Sequence, residues 1–121
     1  MKRINRLRRS KNIQQVRLEG RAYTHKLIVL IENQNTQQGV RIGVIAGRRI
    51  GNAVVRNRIK RRIRAAIQPY HKLIRPDRDI LILTRKPIAD AEYLSVERAI
   101  ELLLHKSALL KTTDEERTLS Q

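Results

Sequence analysis

The chain has 121 residues, enough for one domain with a real core but not for two. Its 27 Lys and Arg stand against 11 Asp and Glu, giving a formal net charge of +16 and a pI near 11.5, a balance that points to nucleic acid or another polyanion as partner. The absence of cysteine excludes disulfides and thiolate metal sites and suits a reducing cytoplasm, and the longest apolar run, residues 27–31, is far too short to span a bilayer, so no membrane partner is expected.

Residues 1–12 (MKRINRLRRSKN) are basic with no apolar stretch behind them, which speaks against a secretory signal. Ser10 is placed to cap a helix over residues 12–19 that turns Ile13, Val16 and Leu18 inward and stops at Gly20, with Leu7 ahead of the cap as its staple. Residues 23–32 are rich in β-branched and apolar types and read as strand, broken in two near His25. A polar stretch, NQNTQQG at 33–39, makes a loop or hairpin connection. Another strand follows at 40–46 (VRIGVIA), where the mid-strand Gly43 marks a close backbone approach.

Gly47 and Gly51 bracket a turn, and Asn52 caps a helix over 53–68 that ends or kinks at Pro69. Residues 80–83, inside RDILILT, form the short continuous apolar run of a strand in the middle of a sheet. Asp90 is placed to cap a last helix over 91–110 with an inward stripe of Val96, Ala99, Ile100, Leu103 and Ser107. The expected organisation is a single domain over residues 1–111 and a disordered tail over 112–121. Helix, two or three strands, helix, strand, helix implies a small mixed sheet with helices packed on it, an α+β fold.

The most informative stretch is RRIGNAVVRNRIKRRIR at 48–64, with eight Arg or Lys in seventeen residues and no acid. A disordered basic tail would carry such charge without an apolar stripe. Here Val55, Ile59, Ile63 and Ile67 recur every four residues, with Ala66 and Tyr70 beside them, so one face docks on a core and the remainder is offered to a polyanion. A merely solvated helix would mix in acids as i,i+4 partners, yet residues 33–76 contain none. The same asymmetry runs along the whole chain: residues 1–76 hold 20 Lys and Arg against two acids, Glu19 and Glu32, whereas residues 77–121 hold seven against nine.

No protein-borne active site is evident. Asp77 and Asp79 share a face if their stretch is extended, and a metal could bridge them, which keeps a stand-alone metal nuclease as a rival reading; acids beside a turn are more often caps or ion-pair partners. His25, His71 and His105 lack ligand spacing, and the glycines at 39, 43, 47 and 51 fit neither the dinucleotide fingerprint nor the P-loop. With three tyrosines and no Phe or Trp to stack on bases, affinity must come from phosphate contacts. Composition leaves open a structural protein of the ribosome and a DNA-architectural protein.

The stretch GNAVVRNRIKRRIR, with Arg56-Asn57-Arg58 at its centre, resembles the signature of the protein subunit of bacterial-type ribonuclease P. NRLRRSKNIQQV resembles the family's entry into its first helix, VRIGVIAGRR the strand before the signature, and DRDILILTRKP the strand after it, so the likeness covers all but the tail. It implies a single-domain α/β sandwich of order αβββαβα, a mixed four-stranded sheet and a left-handed βαβ crossover through the basic helix. It also implies partnership with a catalytic RNA and precursor tRNA, whose 5′ leader that RNA removes with magnesium. The protein itself is expected to supply no catalytic residue, bind no cofactor and need no obligate protein partner. Carried over by position, Arg48, Arg49, Asn52, Arg56, Asn57, Arg58, Lys60, Arg61 and Arg64 form the RNA-contacting set, and Ile13, Arg17 and Ile31 line a cleft for the leader. The family commonly has aromatic residues at those three cleft positions, so leader contact here rests on charge and apolar packing more than on stacking.

Overall fold

The structure is a computed structural model that describes residues 6–36 and 38–111; the expected tail at 112–121 lies outside the described residues. Seven main elements follow in the order α1 (Ser10–Glu19), β1 (Arg21–Thr24), β2 (Ile28–Gln34), β3 (Arg41–Ile45), α2 (Ala53–Ile67), β4 (Arg78–Thr84) and α3 (Tyr93–Lys106). The αβββαβα order and the mixed four-stranded sheet are as expected. Strands lie in the order β1-β2-β4-β3, antiparallel except for β3 against β4. Because β3 and β4 are parallel, the chain must cross over between them, and α2 is that crossover.

Strand alternation divides the core in two. Ile28, Leu30, Ile42, Val44, Ile80 and Ile82 face one way and bury against Ile59, Ile63 and Ile67 of α2 and Val96, Ile100 and Leu103 of α3. Ile31 and Leu81 face the other way and pack with Leu7 and Val16 beneath α1; Leu18, expected inward, is 77% exposed, because two residues on from the buried Val16 it falls on the far side of the helix. The apolar run of β4 sits mid-sheet, served on both faces. Gly43 is the predicted close approach: a Cβ there would lie 2.7 Å from the Leu7 carbonyl oxygen, because the Leu7 N–H donates to the Ile42 carbonyl at 3.0 Å and lays the N-terminal segment along β3.

Three helix boundaries differ from the sequence reading. Ser10 is the first helical residue and Arg9 occupies the cap position, extended at φ −71°, ψ 131° with no side-chain cap bond. The pairing of Leu7 with β3 brings the chain into the helix early, and the Arg9 carbonyl accepts from the Ile13 N–H instead. Asp90 does not cap α3: it ends a 3₁₀ turn, Lys86–Asp90, which Pro87 opens and the buried Ile88 anchors, and the cap position falls to Glu92. At its far end α3 stops at Lys106, because Ala108 at φ 57° turns the chain so that Leu110 pairs with Ile74. The predicted inward stripe of Val96, Ala99, Ile100, Leu103 and Ser107 is buried throughout, with Leu104 added.

Candidate nucleic-acid interface

The start of α2 is built by a short run of local devices. Arg48–Ile50 form a 3₁₀ turn whose Ile50 is buried, leaving Arg48 and Arg49 exposed. Gly51 then turns at φ 153°, a conformation that side chains rarely adopt, and a Cβ would also meet the Val55 side chain at 3.0 Å. Asn52 caps the helix as expected: its Oδ1 accepts from the Val55 N–H at 3.0 Å. At the other end the helix stops at Ile67 and passes into a 3₁₀ turn, Gln68–Leu73, because Pro69 has no N–H to continue the ladder.

Ile59, Ile63, Ala66 and Ile67 are buried and Val55 is partly so, which fixes the rotation of α2. Asn57, Arg58 and Arg61 consequently point outward, while Arg56, Lys60 and Arg64 lie half-buried along one edge. Arg62, the one cation of the run outside the expected contact set, is also half-buried. None of the six cations of α2 has an ion-pair partner among the described residues, and the Nε atoms of Arg56 and Arg64 are buried without an acceptor there. Near the N-terminus of the helix Val54 is 76% exposed amid this charge.

The two aspartates at the start of β4 are committed to other partners. Asp79, 6% exposed, receives both Nε and Nη2 of Arg41 at 2.7 Å and the Asn35 amide at 2.8 Å. Those hydrogen bonds, and the charge of Asp79 after them, hold the Arg41 pKa above its ordinary value against the opposing effect of burial. Asp77 stands ahead of β4 at φ 56°, and its Oδ1 accepts from the Gly39 N–H at 3.1 Å. The two aspartates therefore do not share a strand face; they clamp the loop between β2 and β3, which removes the basis for a metal bridged between them. Among the described residues no group of three or more His, Asp or Glu is placed to hold a metal. His25 accepts the Leu27 N–H on Nδ1 and so stiffens the turn between β1 and β2.

Ile13 of α1 and Ile31 of β2 do come together: Ile31 is 8% exposed, and Ile13 is partly buried against the same cluster. Arg17, one turn on from Ile13, is exposed. Beside Ile13 the apolar surface on this side continues as the cross-strand row Ile45, Leu83 and Val29, also partly buried. Sequence reasoning missed this shelf. Its signal was available: four strands present two faces, and the single helix left for the second face is ten residues long. Among the described residues no helix is long and apolar enough to cross a membrane.

Residues 1–108 match the family Ribonuclease P. The ribonuclease P protein component of Bacillus velezensis is 37% identical over 112 residues, 92% of this chain and 96% of the relative; that of Chloroflexus aggregans is 36% identical over 117 residues, 96% and 87% of the two chains. The structure of the Staphylococcus aureus ribonuclease P protein superposes with a TM-score of 0.80 at 25% identity, covering 88% of this chain and 98% of that one. The Thermotoga maritima ribonuclease P protein has the same fold, with a TM-score of 0.75 over 84% of this chain and 96% of its own. With residues 1–108 matched by the family, and a basic crossover helix that turns an acid-free face outward, the chain belongs to the ribonuclease P protein-component family.

Proposed function

We propose that this chain is the protein subunit of a ribonucleoprotein that removes the 5′ leader from precursor tRNA, with the bond cleavage carried by an RNA subunit. The observation that carries this reading is the face of α2: six cations on fifteen residues, an apolar stripe turned inward, and no carboxylate paired to any of them among the described residues. Like charges at that density raise the energy of the free protein, and RNA phosphates relieve it by replacing mobile counterions. Arg48, Arg49, Asn57, Arg58 and Arg61 present the outward contacts, and Arg56, Lys60 and Arg64 the edge. A catalytic RNA and its RNA substrate repel each other, so a protein of net charge +16 between them raises substrate affinity and lowers the magnesium requirement. Magnesium enters with the RNA, where it stabilises charge on the reacting phosphate. On the opposite face of the sheet, Ile13 and Ile31 with the row of Val29, Leu83 and Ile45 receive the leader strand, and the exposed Arg17 of α1 adds charge.

Reconstitution tests the reading. The chain should capture from a lysate one abundant RNA that cleaves precursor tRNA, and RNA-free protein should cleave nothing. With six to ten phosphates contacted, affinity for that RNA falls about 10³- to 10⁵-fold between 50 and 200 mM salt. A flat salt response, capture of ribosomal subunits, a preference for duplex DNA, or cleavage by the RNA-free protein would each reject it.

A further inference from the structure

The turn between β1 and β2, the 3₁₀ turn Lys86–Asp90 and the first half of α3 surround a hollow of about 590 Å³, and no residue of α2 lines it. Leu27 and Pro87 give it an apolar part, Lys26 and Arg98 bring positive charge, and Asp90 brings a carboxylate. These three charged side chains are exposed, and none of them has an ion-pair or side-chain hydrogen-bond partner among the described residues. The wall at His25 is set in advance. Its Nδ1 accepts from the Leu27 N–H at 3.0 Å, which leaves the ring proton on Nε2 as a donor. The His25 N–H donates to the Ile28 carbonyl at 2.8 Å. Arg85 holds the same turn, its Nη1 donating to the His25 carbonyl at 3.1 Å and its backbone N–H to the Leu27 carbonyl at 2.9 Å.

Charges of both signs that surround one hollow without pairing to each other select a ligand with an anion at one end and neutral donors elsewhere. A bare phosphate is drawn to Lys26 and Arg98 but repelled by Asp90, and a simple cation meets the reverse. A nucleoside monophosphate answers every wall at once. Its phosphate suits the guanidinium fork of Arg98 and the ammonium of Lys26, its base lies against Leu27 and Pro87, and a hydroxyl or amine donates to Asp90. The space also suits a ligand of that size, since small-molecule sites span roughly 300–1,000 Å³. We infer that this hollow is a binding site for a nucleoside monophosphate, either free or as the terminal unit of an RNA strand. The site is separate from the cationic face of α2 and does not depend on the proposed function.

Amide NMR on the full chain, free of RNA, tests this by titration with AMP, GMP, CMP and UMP at constant ionic strength, with inorganic phosphate and adenosine as controls. At least one monophosphate should give saturating shifts at Leu27, Asp90 and Arg98, at concentrations where neither control moves them. Arg98→Gln should weaken that binding about tenfold or more, as the loss of a charge-assisted hydrogen bond does. Lys106→Gln removes the same charge from an exposed position farther along α3 and should leave it unchanged. Asp90→Asn should raise the affinity of the hollow for inorganic phosphate and narrow its preference for the nucleotide.

Shifts confined to α2, shifts that grow without saturating, or an equal response to inorganic phosphate overturn the inference. So does an Arg98→Gln variant that binds as wild type does, or a Lys106→Gln variant that loses as much. If Arg98→Gln fails to fold, Arg98→Lys replaces it: keeping the charge without the fork must still weaken monophosphate binding, and unchanged binding rejects the site. A 5′-phosphorylated trinucleotide that shifts the same amides at lower concentration than the monomer assigns the occupant to an RNA terminus, and one that needs a higher concentration assigns it to the free nucleotide.

Discussion

Arg41 and Asp79 stand directly opposite each other on the parallel strands β3 and β4, and their side chains close a two-bond fork, Nε to Oδ1 and Nη2 to Oδ2, each at 2.7 Å. The same carboxylate holds Asn35, so one buried charge pins both the edge strand and the loop between β2 and β3. Arg41→Ala leaves that carboxylate uncompensated and should destabilise the fold toward the lower end of about 3–5 kcal/mol, because the Arg41 side chain keeps some access to water. Urea unfolding measures the loss. Asp79→Asn should lower stability without conferring or removing any cleavage by RNA-free protein.

The two sides of α2 should separate under mutation. Arg58→Ala and Arg61→Ala remove exposed side chains and should change stability by no more than about 0.5 kcal/mol while weakening RNA binding and flattening its salt dependence. Ile63→Ala empties a fully buried site and should cost about 2–5 kcal/mol, with RNA affinity per folded molecule preserved. The reverse pattern would mean that α2 is turned the other way.

Gly43→Ala tests the seam between the N-terminal segment and β3. A methyl 2.7 Å from the Leu7 carbonyl oxygen has backbone, not a yielding side chain, in its way. The substitution should destabilise by more than about 1 kcal/mol and free the Leu7 amide, which hydrogen exchange will report as lost protection.

The Tyr70 phenol has its pKa raised by desolvation, with Glu101 and Glu97 adding to the effect. A raised native value means that the unfolded chain gives up this proton first, near pH 10. The stabilisation it brings is complete below that range and is lost as pH climbs through the native value. Tyr70→Phe should therefore show a shallower decline in melting temperature above about pH 10 than wild type does.

Much of this could be read before any coordinates. The four-residue recurrence of Val55, Ile59, Ile63 and Ile67 gave the rotation of α2, and the unbroken run in RDILILT gave a central strand, because both patterns reflect burial within one element. The caps at Ser10 and Asp90 were misplaced because distant partners decide those boundaries: Leu7 pairing with β3 in one case, Ile88 packing after Pro87 in the other. The shelf of Val29, Leu83 and Ile45 follows from sheet register, which no local pattern encodes.

Strand order has a bearing on synthesis. β3 bonds to β4 and to the short segment at Arg6 and Leu7, not to β2, so the sheet has a gap until β4 arrives to fill it. A chain growing from its N-terminus has by then delivered 20 of its 27 cations, all within residues 1–76, with no completed sheet to mount them on. The nascent protein thus passes through a stage in which it is a loose polycation beside ribosomal RNA, and a single late-emerging strand ends that stage by locking sheet and crossover helix together.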